Sequence, residues 1–498
     1  MRERTAYVVL SLIALGVIVA HALPALRVPG MSADEAYLHL RQAEHIRETG
    51  VPLHKDPLAA GGKRLLVTPL YDYVLALFGL VMPGSVALKV VPALLAGALV
   101  VLVFFTTRQM TQDDVSALLA AFATAIMPAF AGTINTASPA ALVLGMTTVV
   151  LWQLMSLSRK GALTTYALFI ILLSFAHPSV ALVLLGLLFY AGLLVVGEMS
   201  AEKGFFEILL FSMLFIVWSL VVRFKDALVV NGPLIVFQNI PAVLRDSYFA
   251  QPHILDIVLL VGIVPFLLGS YVVYTFIFRE RRRDTYLLIG FALAMGMLLW
   301  MGIVRPVMGV MFLGLVFSML FGVWVRRALD YLAQTRAAAW RPLFLALIIL
   351  VVGATSLWPA VGAAASTLAL APSQQELAAL ESMRQTLPQD AVVLTMTEEA
   401  YRVQALAHVK TVQDLDFLLQ QDATQRYADM QELYTSRSKV DAVDLLNTYG
   451  ITHIYVSPGA QQRYGFDKPW YASDEKCFEP VVSEDVVLLR STCKVRTR

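Results

Sequence analysis

Ser32-Ala-Asp-Glu-Ala-Tyr-Leu-His-Leu-Arg41 sets two adjacent carboxylates, Asp34 and Glu35, ahead of Tyr37, His39 and Arg41 on alternate positions. A carboxylate can take a proton from an attacking nucleophile, or hold a divalent cation against a leaving phosphate. The same residues also read as local structure. Ser32-x-x-Glu35 is a capping box: the serine caps a helix and the glutamate reaches back to the capping residue's N–H. Asp34 would then favour the helix dipole from the first turn, with His39 and Arg41 as solvated helix residues.

Almost everything available to position these groups is apolar. The 498-residue chain is 58% hydrophobic and 15% charged, with a mean hydropathy of +0.69. Soluble domains carry roughly 25% charged residues, so this is the composition of a polytopic membrane protein. The net charge of +2, with no dense basic run away from the expected membrane flanks, points to no nucleic-acid partner. No Gly-rich phosphate loop is present, which argues against nucleotide hydrolysis.

Residues 6–26 form an apolar span behind Arg2 and Arg4. Ala20-His-Ala22 is a passable signal-peptidase site, but the stretch exceeds the roughly 7–15 residues of a signal h-region and reads as a retained anchor. Its basic flank places the N-terminus in the cytoplasm and residues 28–84 outside as a first outer loop. Thr68 to Gly84 is too short and interrupted to span, and reads as interfacial. Further apolar windows at 85–106, 115–133, 138–156, 163–176, 179–196, 204–222, 254–278, 285–303, 306–325 and 342–360 bring the total to about eleven. Alternation then puts Arg108, Arg159, Lys160, Lys203, the run Arg279 to Arg283, Arg326, Arg327 and Arg336 inside, with Lys63-Arg64 as the outer exception. The spans are nearly free of charge, unlike those of a secondary transporter.

An odd count leaves residues 372–498 outside. Their composition shifts to polar helices alternating with apolar strands: Ser373–Leu387 and Lys439–Tyr449 as helices, Ala391–Thr395 and Ile451–Val456 as strands, Val481–Leu489 as a closing hairpin. The expected architecture is a polytopic α-helical membrane domain over 1–371 and an extracytoplasmic α/β domain over 372–498. Cys477 and Cys493 give no metal-site spacing. In an oxidising compartment they would close the terminal hairpin as a disulfide; otherwise they stay free thiols.

Three further residues sit where a membrane surface would be. Arg305, before Pro306 at the outer start of a span, reads as a snorkelling or paired arginine, or as a grip for phosphate. His177-Pro178 reads as a helix break or as an outer-face imidazole. Arg245-Asp246 in the loop 223–253 reads as a solvated pair.

A carboxylate pair just after the first span resembles the GT-C superfamily of polyprenyl-phosphate-dependent membrane glycosyltransferases, and most of all the oligosaccharyltransferase catalytic subunit. That family's Asp-Pro-Tyr-Tyr-His-x-Arg is similar to Glu35-Ala-Tyr-Leu-His-Leu-Arg41, with Glu35 at the aspartate position; read as an Asp-Glu pair, Asp34 takes the catalytic role instead. Thr68-Pro-Leu-Tyr-Asp-Tyr73 resembles Pro-Pro-Leu-Phe-Asp-Tyr, and Arg305 falls where the family holds the lipid-linked phosphate. The segments Leu380–Leu394 and His408–Asp414 also resemble it.

The resemblance implies a GT-C-like fold in the cell membrane and transfer of a sugar from a polyprenyl-(di)phosphate carrier to an acceptor, with protein as one acceptor class. Asp34 and Glu35 would be catalytic, and Tyr37, His39, Arg41, Asp72, His177, Arg245 and Arg305 would bind substrate. It also implies a divalent metal, Mn²⁺ or Mg²⁺, on Asp34 or Glu35. Three segments depart from the pattern. Met396-Thr-Glu-Glu-Ala400 replaces the sequon-reading Trp-Trp-Asp-Tyr-Gly. Gly132–Pro139 has no acidic residue to complete a metal site, and the loop 223–253 lacks the acceptor-side glutamate. These departures fit a divergent enzyme working without metal, or a non-catalytic relative that binds a lipid-linked saccharide.

Overall fold

The computed structural model describes residues 3–483 and 486–493; Arg2, the other half of the basic flank, lies outside them. α1 (Glu3–Arg27) is followed by α2 (Glu35–Thr49), a short hairpin of β1 (Lys55–Asp56) and β2 (Lys63–Arg64), and α3 (Leu70–Phe78). Among the described residues, six helices are long and apolar enough to cross a membrane, α1, Gly84–Thr111, Phe205–Asn231 and Pro306–Ala333 among them. The 28 residues of Gly84–Thr111 extend about 42 Å at 1.5 Å per residue, beyond the ~30 Å hydrocarbon thickness.

Two of the apolar windows are bent helix pairs. Asp114–Ala125 meets Pro128–Ile134 at 55°, and Ile254–Val261 meets Ile263–Phe278 at 107°. Each bend has a local cause. Pro128 cannot donate to the preceding turn, and Gly262 takes φ +102°, which a side chain would resist. Counting each pair once gives eight spans. The expected eleven is reached only if the shorter helices Ala140–Leu154, Ala162–Ala176 and Val180–Val196 also cross. The break at His177-Pro178 is present, whereas the window ending at 222 is too short: its helix continues to Asn231.

Pro306–Ala333 is the most enclosed of these helices and Arg341–Leu368 lies at the periphery, with Trp358 82% exposed. Val195, Val196, Leu210 and Trp218 are exposed on other helices. Such a surface is stable against lipid tails and not against water, so the chain is a multi-pass membrane protein.

The C-terminal part is built on a five-stranded sheet in the order β4-β3-β5-β7-β6. β3 (Val392–Leu394) pairs in parallel with β4 (Lys410–Thr411) and β5 (His453–Val456); β6 (Phe478–Ser483) and β7 (Val487–Ser491) add an antiparallel edge. A disulfide joins Cys477 to Cys493 across the ends of that hairpin. Helices Gln374–Thr386 and Lys439–Thr448 fall where periodicity puts them, and Gly450 at φ +66° follows the second. β4 and the helix Ala400–Ala407 are not evident in the sequence pattern, being two and eight residues long.

The loop after α1 is stitched to this sheet. Thr411 donates to the Leu58 carbonyl and accepts from the Ala60 N–H, both at 2.9 Å, extending the sheet edge by an isolated bridge at Ala59. Lys63, the exception to the expected charge pattern, is buried and donates to the Asp414 carboxylate and the Asp416 carbonyl. Arg41 grips Asp56 with both terminal nitrogens, at 2.5 and 3.0 Å, and reaches Gln404 at 2.6 Å. The Asp56 side chain is fully buried and Arg41 is 10% exposed, so Arg41→Met would strand a carboxylate. We expect a loss of about 3–5 kcal/mol, read as a lowered thermal midpoint in detergent, with Arg41→Met/Asp56→Leu recovering most of it.

Candidate functional site

α2 begins at Glu35, but not by the expected capping box. Its N-cap residue is Asp34, which makes no side-chain cap to its own helix. Ser32 donates its hydroxyl to the Asn135 carbonyl at 2.6 Å, and Glu35 turns to Arg305 rather than back to the cap. Tertiary partners have displaced the local motif.

The two adjacent acids face different surroundings. Asp34 Oδ1 accepts from the Arg402 N–H at 2.8 Å and Oδ2 from the Tyr401 N–H at 3.1 Å, so Asp34 caps the helix Ala400–Ala407 of the C-terminal part. Burial pushes its carboxyl well up, against the pull of those N–H groups and the Arg402 charge. Around it, Arg402 pairs with Glu376 at 2.9 Å and Glu399 at 3.0 Å.

Burial also raises Glu399 to about 7 against the pull of Arg402, with Ser457 donating to it at 2.8 Å. The folded chain therefore holds this proton more tightly than the unfolded chain, whose ordinary value is 4.5. The stability it contributes is full below that value and is lost as pH rises through about 7. Thermal midpoints should thus fall between about pH 5 and about pH 8. Glu399→Gln should flatten that fall, measured in buffers of constant ionic strength.

Glu35 is the exposed acid. Its side chain is 49% exposed, and Oε1 lies 3.4 Å from Nη1 of Arg305. Arg305 is the N-cap residue of Pro306–Ala333; its other terminal nitrogen donates to Gln238 at 3.1 Å, and its guanidinium lies 5.1 Å over the Tyr248 ring. Its Nε is buried without a partner among the described residues. His177, the C-cap of Ala162–Ala176, lies within electrostatic reach of both Arg305 and Glu35. Glu35, His177, Gln238, Tyr248 and Arg305 thus converge from separate stretches of the chain.

Other candidates stand apart. Tyr37 is 2% exposed, its hydroxyl accepting from the Met31 N–H. His39 Nδ1 meets Asp72 at 2.6 Å, edge-on to Tyr71. Burial works against the imidazolium, but the Asp72 carboxylate outweighs it and holds His39 above its ordinary range. Arg41 is consumed by Asp56. Arg245 lies over Phe237 and 3.9 Å from Asp246, as the solvated-pair reading has it. Gln238 and Tyr248 carry no motif in the sequence; their place in the loop 223–253 was the only signal.

The residues present do not fit a divalent metal. No group of three or more His, Cys, Asp or Glu side chains among the described residues is placed to hold one. Asp34 is committed to two N–H groups, and Gly132–Pro139 presents only neutral oxygens.

No family model matches the chain, and no curated protein does. Solved structures do match. The oligosaccharyltransferase of Archaeoglobus fulgidus in the apo form superposes with a TM-score of 0.72 at 15% identity, over 96% of this chain and 73% of that one. ArnT from Cupriavidus metallidurans, bound to undecaprenyl phosphate, gives 0.59 at 14% identity over 97% and 98%. The mycobacterial arabinofuranosyltransferase AftD gives 0.58 at 15%, over 99% of this chain and 40% of its own. All three are GT-C glycosyltransferases. The chain has the GT-C fold.

Other structures of the archaeal oligosaccharyltransferase contain an inhibitory peptide with dolichol-phosphate, a tethered acceptor peptide with the NVT sequon, or zinc and sulfate. In this chain the loop that follows the first span carries the adjacent acids, and the N-terminus of Pro306–Ala333 carries the arginine.

Proposed function

We propose that this protein is an integral-membrane glycosyltransferase that moves a sugar or oligosaccharide from a polyprenyl-(di)phosphate carrier to an acceptor at the outer membrane face, with its C-terminal part extracytoplasmic. The observation that carries the reading is the exposed Glu35 facing a partly exposed Arg305 whose Nε has no partner among the described residues. Arg305 would bind the carrier's phosphate, whose oxygens suit a planar guanidinium fork. That contact would replace the 3.4 Å pairing and release Glu35 to the acceptor.

As the acceptor's nucleophile attacks the anomeric carbon, its proton passes to Glu35 and the glycosidic C–O bond breaks. The carrier phosphate leaves with the bonding pair, its charge held by Arg305. His177, Gln238 and Tyr248 would position these groups. No step is assigned to a metal. Purified protein given a radiolabelled lipid-linked sugar pool should release label from the lipid, equally with EDTA and with added Mn²⁺. Lipid binding with no turnover in any condition would favour a non-catalytic relative, to which the departures at Met396–Ala400 also point.

A further inference from the structure

A cavity whose lining includes neither Glu35 nor Arg305 lies between the β1–β2 hairpin and the last turns of Phe205–Asn231. It measures about 280 Å³. Its cations are Arg64, Arg223 and Lys225, with His54 beside them, and its one acid is Asp226. Arg64 pairs with Asp226 at 2.9 Å, with 69% and 45% of the two side chains exposed. Neither Arg223 nor Lys225 has a carboxylate partner within 4 Å among the described residues. Three full cations around one carboxylate leave the cavity positive at neutral pH.

Arg223 is held in place without being neutralised. It donates to the Ser174 carbonyl and its guanidinium lies 4.8 Å over the Phe175 ring, so it is anchored by a neutral oxygen and an aromatic face. Its fixed position reduces the entropy lost on binding an anion. The remaining wall is apolar, with Leu65, Leu66, Val222 and Leu419. One turn back along the same helix, Trp218 is 60% exposed on the lipid-facing surface, and Val222 itself is 57% exposed. The cavity therefore joins cations to hydrocarbon-facing surface at the point where an apolar helix acquires charge.

We propose that this cavity binds the phosphate of an anionic amphiphile, the headgroup entering between Arg64, Arg223 and Lys225 and the chains running down past Val222 and Trp218. The shared chemistry is a phosphate mono- or diester; a free phosphate would satisfy the cations but leave the apolar wall unused. The cavity shares no lining residue with the Glu35 and Arg305 site, and its charge holds whether or not the chain transfers sugar.

The experiment is native mass spectrometry of the full-length protein in detergent, titrated with phosphatidic acid, phosphatidylcholine or inorganic phosphate. Phosphatidic acid should bind in preference to phosphatidylcholine. Arg223→Gln/Lys225→Gln should weaken it by at least about tenfold, the loss of one charge-assisted hydrogen bond to the phosphate or more. The charge-retaining Arg223→Lys/Lys225→Arg should keep most of the affinity, which separates loss of charge from loss of fold. Arg305→Gln should leave the loss caused by Arg223→Gln/Lys225→Gln unchanged. Displacement by inorganic phosphate at matching concentration would make free phosphate the ligand of the same site; resistance to it would make the lipid the ligand. Equal binding of phosphatidylcholine, or an affinity unmoved by the double Gln variant, would overturn the proposal.

Discussion

Glu35→Gln is expected to reduce sugar transfer by about 10²–10⁴-fold while the protein still inserts and melts like the parent. Asp34→Asn should do nearly the reverse. The amide has the shape of the carboxylate but cannot take a proton, and on Glu35 it removes only an exposed pairing at 3.4 Å. A solvent-exposed ion pair of that length contributes about 0–1 kcal/mol, so folding should barely register the change. On Asp34 the same chemistry weakens two N–H contacts that tie the loop after α1 to the helix Ala400–Ala407. Losing a cap costs about 0.5–2 kcal/mol, and the Asn oxygen can keep one of the two bonds. The stability loss should therefore be small and the folded enzyme should keep most of its rate. Transfer assayed per folded molecule, with melting followed in parallel, separates the two. A dead Asp34→Asn beside an active Glu35→Gln would exchange the assignments.

The sequence leaves these two acids equivalent because what distinguishes them is tertiary. Their partners, the Tyr401 and Arg402 N–H groups for one and the Arg305 guanidinium for the other, lie more than 250 residues away. Local spacing pointed instead to a capping box, and the hydroxyl of Ser32 went to the Asn135 carbonyl. Segment-level features were more legible. Hydropathy marks the long apolar helices because each must satisfy its own backbone in lipid. β5 and the helix Lys439–Thr448 carry periodicity and a glycine stop of their own.

The two bends resisted, since a proline or a glycine inside an apolar window does not say how far the helix turns. β4 resisted for a different reason: two residues carry no period, and its order comes from pairing with β3 and with the bridge at Ala59. The motif residues His39 and Arg41 were legible as a pattern, yet their burial against Asp72 and Asp56 was not. Side-chain type does not reveal whether a charge meets substrate or a buried partner. Lys63 makes the same point from the other side, an exception to the charge pattern that is explained once Asp414 is seen beside it.

Arg305 offers the second large effect. Arg305→Ala should lower kcat/KM for the lipid-linked donor by about 10²–10³-fold, as expected for a group that stabilises charge developing on the leaving phosphate. Arg305→Lys should restore little. Lysine keeps the positive charge, but it has neither the planar fork that would take two phosphate oxygens nor the face that lies 5.1 Å over Tyr248. It also cannot hold Gln238 while reaching toward Glu35, as the two terminal nitrogens of arginine do at 3.1 and 3.4 Å. The way the loss divides is informative. If Arg305 only grips the ground-state carrier, KM should rise and kcat should stay. If it stabilises the departing phosphate, kcat should carry most of the fall. The second pattern is expected, because the charge on the phosphate grows as the glycosidic bond breaks and the guanidinium is already oriented by Gln238 and Tyr248. A donor whose leaving group is a better-stabilised anion, a diphosphate in place of a monophosphate, should depend less on Arg305, and comparing the two donors in the Ala variant would measure that directly.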